Sequence, residues 1–207
     1  MKKLLFITPE LPYPAQSGGK VKSLKLLHAL AEKYQVTLAC PLKMEDAHYV
    51  DEFHAISPCT HHLHQQVSIP RTPGNLILSY LRGIPLNVHR TYNEQLHNSI
   101  AALANEQHVV FLDHYEVYPY LPTDYKGLTI YHAHNAYFKM WERYAQLPGN
   151  LVMRGAAYME SRRVKKYEAG VANNTDLCFA APNDGQELAK AGVALDKLHD
   201  TFHLGDD

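Results

Sequence analysis

The chain has 207 residues, of which 46% are hydrophobic and 20% are charged, as in an ordinary globular protein with one full core. A formal net charge of -1 argues against the basic field that a nucleic-acid partner requires, so no nucleic acid is expected among its partners. The three cysteines are far apart in the sequence, which argues against a disulfide framework and against a zinc ribbon.

Short apolar runs alternate with helical patterns along the chain. Strands are predicted at residues 4–8, 35–42, 60–69, 108–115, 127–135 and 176–182. Helices are predicted at about residues 20–33, 44–56, 73–83, 91–106, 136–146, 151–173 and 183–192. Gly83 and Gly192 are expected to end two of these helices, and Asn183 is expected to cap the last one.

This alternation predicts an α/β fold, namely a Rossmann-like parallel sheet with helices on both faces. Neither an internal repeat nor a low-complexity linker interrupts the pattern, so residues 1–207 are expected to form a single domain. In open sheets of this kind, ligands bind outside the carboxyl ends of the strands. The residues that directly follow each strand are therefore the first candidates for a functional site.

The first strand runs into a proline-rich loop and then into Ser17, Gly18, Gly19 and Lys20, where the first helix begins. Glycine allows close approach of a ligand to the backbone and permits positive φ, and a helix N-terminus attracts anions. We therefore expect these four residues to bind substrate, with a plain turn as the alternative interpretation. Neither G-x-x-x-x-G-K-[ST] nor G-x-G-x-x-G is present, which disfavours a nucleotide triphosphatase and a standard NAD enzyme.

Polar residues also close the fourth and fifth strands. Asp113 and His114 end the fourth, and His132, His134 and Asn135 end the fifth. His132 and His134 are two residues apart, so on a strand they share a face. These residues lie at the carboxyl edge of the sheet, where ligands bind. The alternative for Asp113 and His114 is a capping carboxylate beside a surface histidine, and the alternative for His134 is a hydrogen-bonded histidine at a strand end.

The third strand contains His62 and His64, which also share a face and are candidates for a metal site. No carboxylate or cysteine accompanies them nearby, so a polar strand edge is the favoured interpretation. We expect neither a bound metal nor a cofactor.

Several segments together point to a known family. The stretch "TPELPYPAQSGGKVKSLKLLHALAEKYQVTLAC" resembles the opening of the N-terminal domain of retaining GT-B glycosyltransferases of family four. The likeness continues in "GIPLNVHRTYNEQLHNSIAAL", "HAHNAYFKMWERYA" and "SRRVKKYEAGVANNTDLCFAAPNDGQEL", and it extends over nearly the whole chain. It is greatest to a branch associated with polysaccharide assembly.

The resemblance implies the acceptor-binding half of an enzyme that moves a sugar from a nucleotide-sugar donor to a carbohydrate or lipid-linked acceptor. In that family the glycine loop approaches the donor phosphates, and a polar residue after the fourth strand contacts the sugar. Asp113 or His114 would take that place, and both are candidate catalytic residues. His134 and Asn135 resemble the family's His-Asn pair and are candidates for substrate binding.

The family's second domain binds most of the sugar nucleotide and carries a Glu-x7-Glu pair. Glu160 and Glu168 have this spacing, but they lie in a helix of the first domain, so we interpret the match as coincidence. The donor-binding domain is expected to be absent from this chain, because its linker would start near Gly205, Asp206 and Asp207. The chain alone is accordingly expected to be inactive.

Two other functions remain open: a non-catalytic module that binds sugars or nucleotides, and half of another GT-B-like enzyme such as a sugar-nucleotide epimerase. The N-terminal apolar run is too short for a signal peptide, and no run approaches a membrane span, so a cytoplasmic location is expected. A basic cluster in one helix suggests peripheral contact with anionic lipid at the inner membrane face, with a solvated basic face as the alternative. It consists of Arg154, Arg162, Arg163, Lys165 and Lys166.

Overall fold

Parallel strands alternate with helices in a computed structural model that describes residues 1–201. The strands are β1 (Lys2–Ile7), β2 (Tyr34–Lys43), β3 (His61–Val67), β4 (Val109–Leu112), β5 (Leu128–Ala133), β6 (Leu177–Ala180) and β7 (Leu198–Asp200). The helices are α1 (Gly18–Ala31), α2 (Val50–Ile56), α3 (Pro73–Leu81), α4 (Leu86–Thr91), α5 (Glu94–Ala104), α6 (Tyr137–Gln146), α7 (Leu151–Asn174) and α8 (Pro182–Lys190). Short 3-10 turns precede α2 and follow β4.

The sheet has the order β3-β2-β1-β4-β5-β6-β7, and every pair of neighbours is parallel. The order reverses between β1 and β4, because the chain first builds outward on one side and then crosses over to the other. This reversal opens a crevice at the carboxyl ends of the two strands. The adjacency of β4 with β1 and β5 places the residues that follow these three strands side by side.

Alternate residues of β1 pack into two hydrophobic cores, one on each face of the sheet. Leu5 and Ile7 belong to the larger core, which includes residues from α5, α7 and α8. Leu4 and Phe6 belong to the smaller core, which is covered by α1 and α2. Both faces of the central strands are therefore buried, which explains their continuous apolar runs. The predicted Rossmann-like sheet with helices on both faces is confirmed.

Several local expectations were wrong. The strand β7 and the helix α4 were not predicted, because they are only 3 and 6 residues long and carry no apolar periodicity. The helix α8 is capped by Ala181 and has Pro182 in its first turn, so Asn183 lies inside the helix and is not its cap.

Gly83 and Gly192 follow their helices with φ of 68° and 97°, as expected for helix ends.

The expected linker at Gly205, Asp206 and Asp207 lies outside the described residues. Within residues 1–201, no helix combines the length and the apolar character that crossing a bilayer would require.

Candidate functional site

A cleft of about 720 Å³ opens at the carboxyl ends of β1, β4 and β5. Five of the predicted site residues line it, namely Gly19, Lys20, His114, His134 and Asn135, together with Ser23, which was not predicted. Ser17 and Gly18 are exposed at the start of α1, and Asp113 is buried directly behind the cleft wall. The structure thus brings the predicted site residues to one rim of the sheet.

Asp113 is the centre of the polar contacts behind this rim. One of its carboxylate oxygens, Oδ1, accepts hydrogen bonds from His132 Nδ1 and His134 Nε2, each at 2.8 Å. The other oxygen, Oδ2, accepts from Ser23 Oγ at 2.5 Å. Burial alone would raise the pKa of this fully buried carboxyl, but His134 and the two imidazole hydrogen bonds hold that pKa well below its usual range. Asp113 is therefore an anion that orients its neighbours.

The contact with Asp113 also determines how His134 faces the cleft. Because His134 Nε2 donates to the carboxylate, the neutral imidazole keeps its lone pair on Nδ1. A Cβ placed on Gly19 would lie 3.9 Å from this Nδ1, so the nitrogen lies beside the glycine loop. His132 and His134 do share a face, as predicted, but only His134 lines the cleft. His134 Nδ1 is positioned to accept a hydrogen bond from a hydroxyl group in the cleft.

The two glycines of the loop form the first turn of α1. Neither has positive φ, so the expectation that they supply an unusual backbone conformation was wrong: the helix starts at Gly18, and helical residues have negative φ. The hydroxyl of Ser17 caps the helix by accepting from the N–H of Lys20 at 3.2 Å. The backbone at Gly18 borders open space, since a Cβ added there would meet no atom within 4 Å.

Lys20 lines the cleft, but its charge is already balanced. Its ammonium Nζ lies 3.0 Å from Asp46 Oδ1 and 3.5 Å from the carbonyl oxygen of Tyr13. The side chains of Lys20 and Asp46 are only 12% and 9% exposed, so this ion pair is largely desolvated. Asp46 was not singled out in the sequence, because it lies 26 residues away from Lys20.

His114 and Glu116 form another part of the cleft wall. Burial, and after it the neighbouring His134, lower the pKa of His114 to about 3, so this imidazole is neutral. His114 is therefore not the surface histidine of the alternative interpretation. Glu116 was missed in the sequence, where it is one residue of a tyrosine-rich segment. Burial raises the pKa of its carboxyl to about 7.

The segment that carries His134 and Asn135 is fixed by two acidic residues from later helices. Asp184 accepts from the N–H of Ala136 at 2.8 Å, and Glu168 accepts from the N–H of Tyr137 at 3.1 Å. Glu168 is fully buried, and burial raises its pKa to about 8. These carboxylates take the place of a side-chain cap at the start of α6, since its N-cap residue is an alanine.

Glu160, the other member of the Glu-x7-Glu pair, is also occupied structurally. It accepts from the N–H of Leu86 at 2.8 Å and pairs with Arg163 at 2.6 Å. Both glutamates are buried inside the domain, away from the lining of the cleft at β1, β4 and β5. These contacts support the interpretation that their spacing is coincidental.

Among residues 1–201, one group has three metal-ligand atoms within 4.8 Å of one another: Asp113, His132 and His134. The oxygen–nitrogen distances of 2.8 Å between Asp113 and each histidine are those of direct hydrogen bonds. The predicted pair His62 and His64 is not such a group; His62 Nε2 lies 2.8 Å from Ser57 Oγ. The absence of a metal stays a prediction.

Comparisons with known proteins support the fold. No family model matches the chain, and no curated protein matches it. The crystal structure of Anabaena Alr3699/HepE, in complex with UDP and glucose, aligns with a TM-score of 0.57 at 11% identity, covering 100% of this chain and 45% of that one. Arabidopsis thaliana UGT89C1, complexed with UDP, aligns with a TM-score of 0.50 at 12% identity, covering 99% and 53%.

The chain therefore spans about half the length of these solved structures. Both are GT-B glycosyltransferases, and the matched part corresponds to a Rossmann-like half of that architecture. At these identities the likeness concerns the fold, and the GT-B-like fold predicted from the sequence is confirmed.

Proposed function

We propose that this chain is the acceptor-binding half of a retaining, family-four-like glycosyltransferase of polysaccharide biosynthesis. The enzyme would move a sugar from a nucleotide-sugar donor to a carbohydrate or lipid-linked hydroxyl. The observation that carries the proposal is the convergence of Gly19, His134 and the buried Asp113 at the point where the strand order reverses. The UDP bound to HepE and UGT89C1 supports a nucleotide-sugar donor.

In this proposal the acceptor hydroxyl donates a hydrogen bond to His134 Nδ1, and Asp113 keeps the imidazole in the required tautomer. The donor phosphates approach the start of α1, where Gly18 and Gly19 leave the backbone open. The positive end of the helix dipole then stabilises the charge of the departing nucleoside diphosphate. Most of the donor is held by a second domain, which agrees with the 45% of HepE that this chain covers.

The test is a binding screen with the purified chain against a panel of oligosaccharides, glycolipids and nucleotide sugars. We expect it to bind a carbohydrate or glycolipid and to release no nucleoside diphosphate from any nucleotide sugar. His134→Ala should weaken the carbohydrate binding by about 10-fold or more, because it removes a hydrogen bond in a partly desolvated cleft.

The matched control is His62→Ala, which removes an imidazole on the outer strand β3, outside the cleft lining. Its binding should equal that of the unmodified chain. Equal binding by His134→Ala and the unmodified chain would refute the site, and turnover by the chain alone would refute the need for a second domain.

We also propose a peripheral membrane contact through an apolar surface on α3 and α7. Its members are Ile77 and Leu81 on α3, with exposed fractions of 61% and 80%, and Leu151, Val152 and Met153 on α7, with 77%, 77% and 68%. The two helices touch where Arg163 stacks on Tyr80, 3.7 Å from the ring centroid. Both acidic residues of α7 are buried, so the exposed charges on that helix, including Arg154 and Arg162, are positive. The exposed apolar and positive side chains of α7 suit an anionic lipid surface.

Co-sedimentation with vesicles tests this contact. The chain should bind phosphatidylglycerol vesicles and leave phosphatidylcholine vesicles largely free. The double variant Leu151→Glu, Val152→Glu should bind the anionic vesicles about 10-fold less, because it places negative charge in the apolar surface. Met44→Glu is the control, since Met44 is 68% exposed but follows β2. Equal binding by the double variant and the control would refute the surface.

A further inference from the structure

The cleft contains two arginines whose charges are not balanced by ion pairs. Four cationic side chains line it, and two of them are paired: Lys20 with Asp46 and Lys43 with Glu10. The other two are Arg71, in the loop after β3, and Arg90, on α4. Within residues 1–201, no carboxylate oxygen lies within 4.0 Å of either guanidinium group.

Backbone and amide oxygens hold these two arginines at the same end of the cleft. Arg90 Nε donates to the carbonyl oxygen of Ile69 at 2.7 Å, which leaves its two terminal nitrogens available. Arg71 Nη2 donates to Asn87 Oδ1 at 3.3 Å, and Asn87 lies on α4 together with Arg90. The pKa of Arg90 is lowered, first by burial and then by the positive charge of Arg71, so the two groups are close enough to repel each other.

Three carboxyls line the cleft: Glu10, which pairs with Lys43, Glu45, and Glu116. Glu116 accepts from Thr91 Oγ1 at 3.5 Å, and its pKa responds to the charge of Arg71. Because burial raises its pKa to about 7, Glu116 is only partly ionised at neutral pH and compensates the arginines incompletely. Two neighbouring guanidinium groups with free N–H donors and little counter-charge are suited to an anion that accepts several hydrogen bonds at once.

We propose that Arg71 and Arg90 form a subsite for a phosphoryl group carried by the acceptor molecule. The assignment of the phosphoryl group to the acceptor molecule rests on the proposed function, whereas the anion site itself rests on the two arginines. The phosphoryl group belongs either to a lipid phosphate or to a phosphorylated soluble sugar. A lipid phosphate has a path for its chain, because α3 begins two residues after Arg71 and exposes Ile77 and Leu81.

Titration of the purified chain with inorganic pyrophosphate, followed by calorimetry, tests the subsite. Arg71→Gln and Arg90→Gln should each raise the dissociation constant by about 10-fold, since each removes charge-assisted hydrogen bonds. Arg143→Gln is the control, because Arg143 is an exposed cation on α6 outside this cleft and should leave the constant unchanged. Arg90→Lys keeps the positive charge but lacks the planar guanidinium group. Its dissociation constant for pyrophosphate should lie between those of the unmodified chain and Arg90→Gln.

Two results would overturn the subsite: no saturable binding of pyrophosphate, or binding that the double variant Arg71→Gln, Arg90→Gln retains. Arg71→Gln keeps the test valid if Arg90→Gln misfolds, because Arg71 is exposed and its guanidinium bonds to a side chain, that of Asn87, with no other hydrogen bond to residues 1–201. Pyrophosphate binding does not depend on sugar transfer. If the arginine variants raise the dissociation constant for pyrophosphate but the chain binds no carbohydrate, the subsite is supported and the proposed function is not.

Two further titrations distinguish the sources of the phosphoryl group, and both compare the arginine variants with the unmodified chain. If the group belongs to a lipid, Arg71→Gln should reduce binding to phosphatidic acid vesicles, and glucose 6-phosphate should not compete with pyrophosphate. If it belongs to a soluble sugar, glucose 6-phosphate should compete, and the vesicle binding should not depend on Arg71. An arginine-dependent response in either titration supports the subsite, and arginine-independent responses in both contradict it.

Discussion

Replacing Asp113 by alanine is expected to lower the free energy of unfolding by about 3–5 kcal/mol, the range for removing one partner of a buried charged pair. The carboxylate is fully buried and accepts hydrogen bonds from Ser23, His132 and His134. Its removal takes the partner from the buried imidazole of His132 and from the less buried His134, whereas Ser23 Oγ still donates to the carbonyl oxygen of Gly19. An unpaired polar group in the interior has a desolvation cost that the folded state does not repay. In a domain of this size each kcal/mol corresponds to about 2–4 °C in the melting temperature.

Urea denaturation of the variant and of Asp124→Ala measures this effect. Asp124 is an exposed carboxylate in the loop before β5, so its removal should change the stability by no more than about 0.5 kcal/mol. A loss below about 1 kcal/mol for Asp113→Ala would mean that the histidines do not depend on Asp113 for their hydrogen bonds.

The pH dependence gives an independent measure of the same interaction. The folded state lowers the pKa of Asp113 below its unfolded value, so its contribution to stability is present above that unfolded value and is lost as the pH falls below it. Asp113→Asn has no charge to lose at this position. Its stability should therefore fall less steeply than that of the unmodified chain when the pH is lowered from about 5 to about 3.

Gly19→Val is expected to raise the dissociation constant for carbohydrate by at least about 10-fold without changing the fold. A Cβ added at position 19 would lie 3.9 Å from His134 Nδ1, and the two methyl groups of valine would extend further into the space beside this nitrogen. An approaching hydroxyl would then be excluded. Because the φ of Gly19 is not positive, the substitution introduces no backbone strain, and valine is at least as favourable as glycine in a helix.

Gly155→Val is the matched control, since Gly155 lies in α7, outside the cleft, and a Cβ there meets nothing within 4 Å. It should bind carbohydrate as the unmodified chain does. The comparison uses the same titration as His134→Ala, with circular dichroism as a check of folding. If the two valine variants bind equally well, the loop does not face the ligand.

The architecture of this domain was predictable because its signals are local. A buried parallel strand leaves a run of apolar residues, and a helix on the sheet leaves an apolar stripe, so β1 and α1 could be placed from a few neighbouring residues. The rim of the sheet followed from topology, because the carboxyl ends of all parallel strands lie on the same side. Short polar elements such as β7 leave no comparable signal.

The contacts of the candidate site were not predictable, because its residues meet across long stretches of chain. Ser23 and Asp113 are 90 residues apart, and neither has a neighbour in sequence that points to the other. The two glycines of the loop were correctly placed at the helix start, but their backbone conformation was misjudged: a pair of glycines also fits ordinary helical geometry. Sequence patterns placed the candidate residues at one rim of the sheet, whereas their side-chain partners required the folded structure.

The two carboxylates that hold the start of α6 have a consequence for the order in which the domain folds. Asp184 lies 48 residues after Ala136, and Glu168 lies 31 residues after Tyr137. During synthesis, β1, β4 and β5 emerge before either carboxylate, so the central strands can pair while the segment of His134 is still uncapped. The pairing of β1, β4 and β5 does not need the chain beyond Ala133, whereas the segment of His134 stays uncapped until the chain through Asp184 is present.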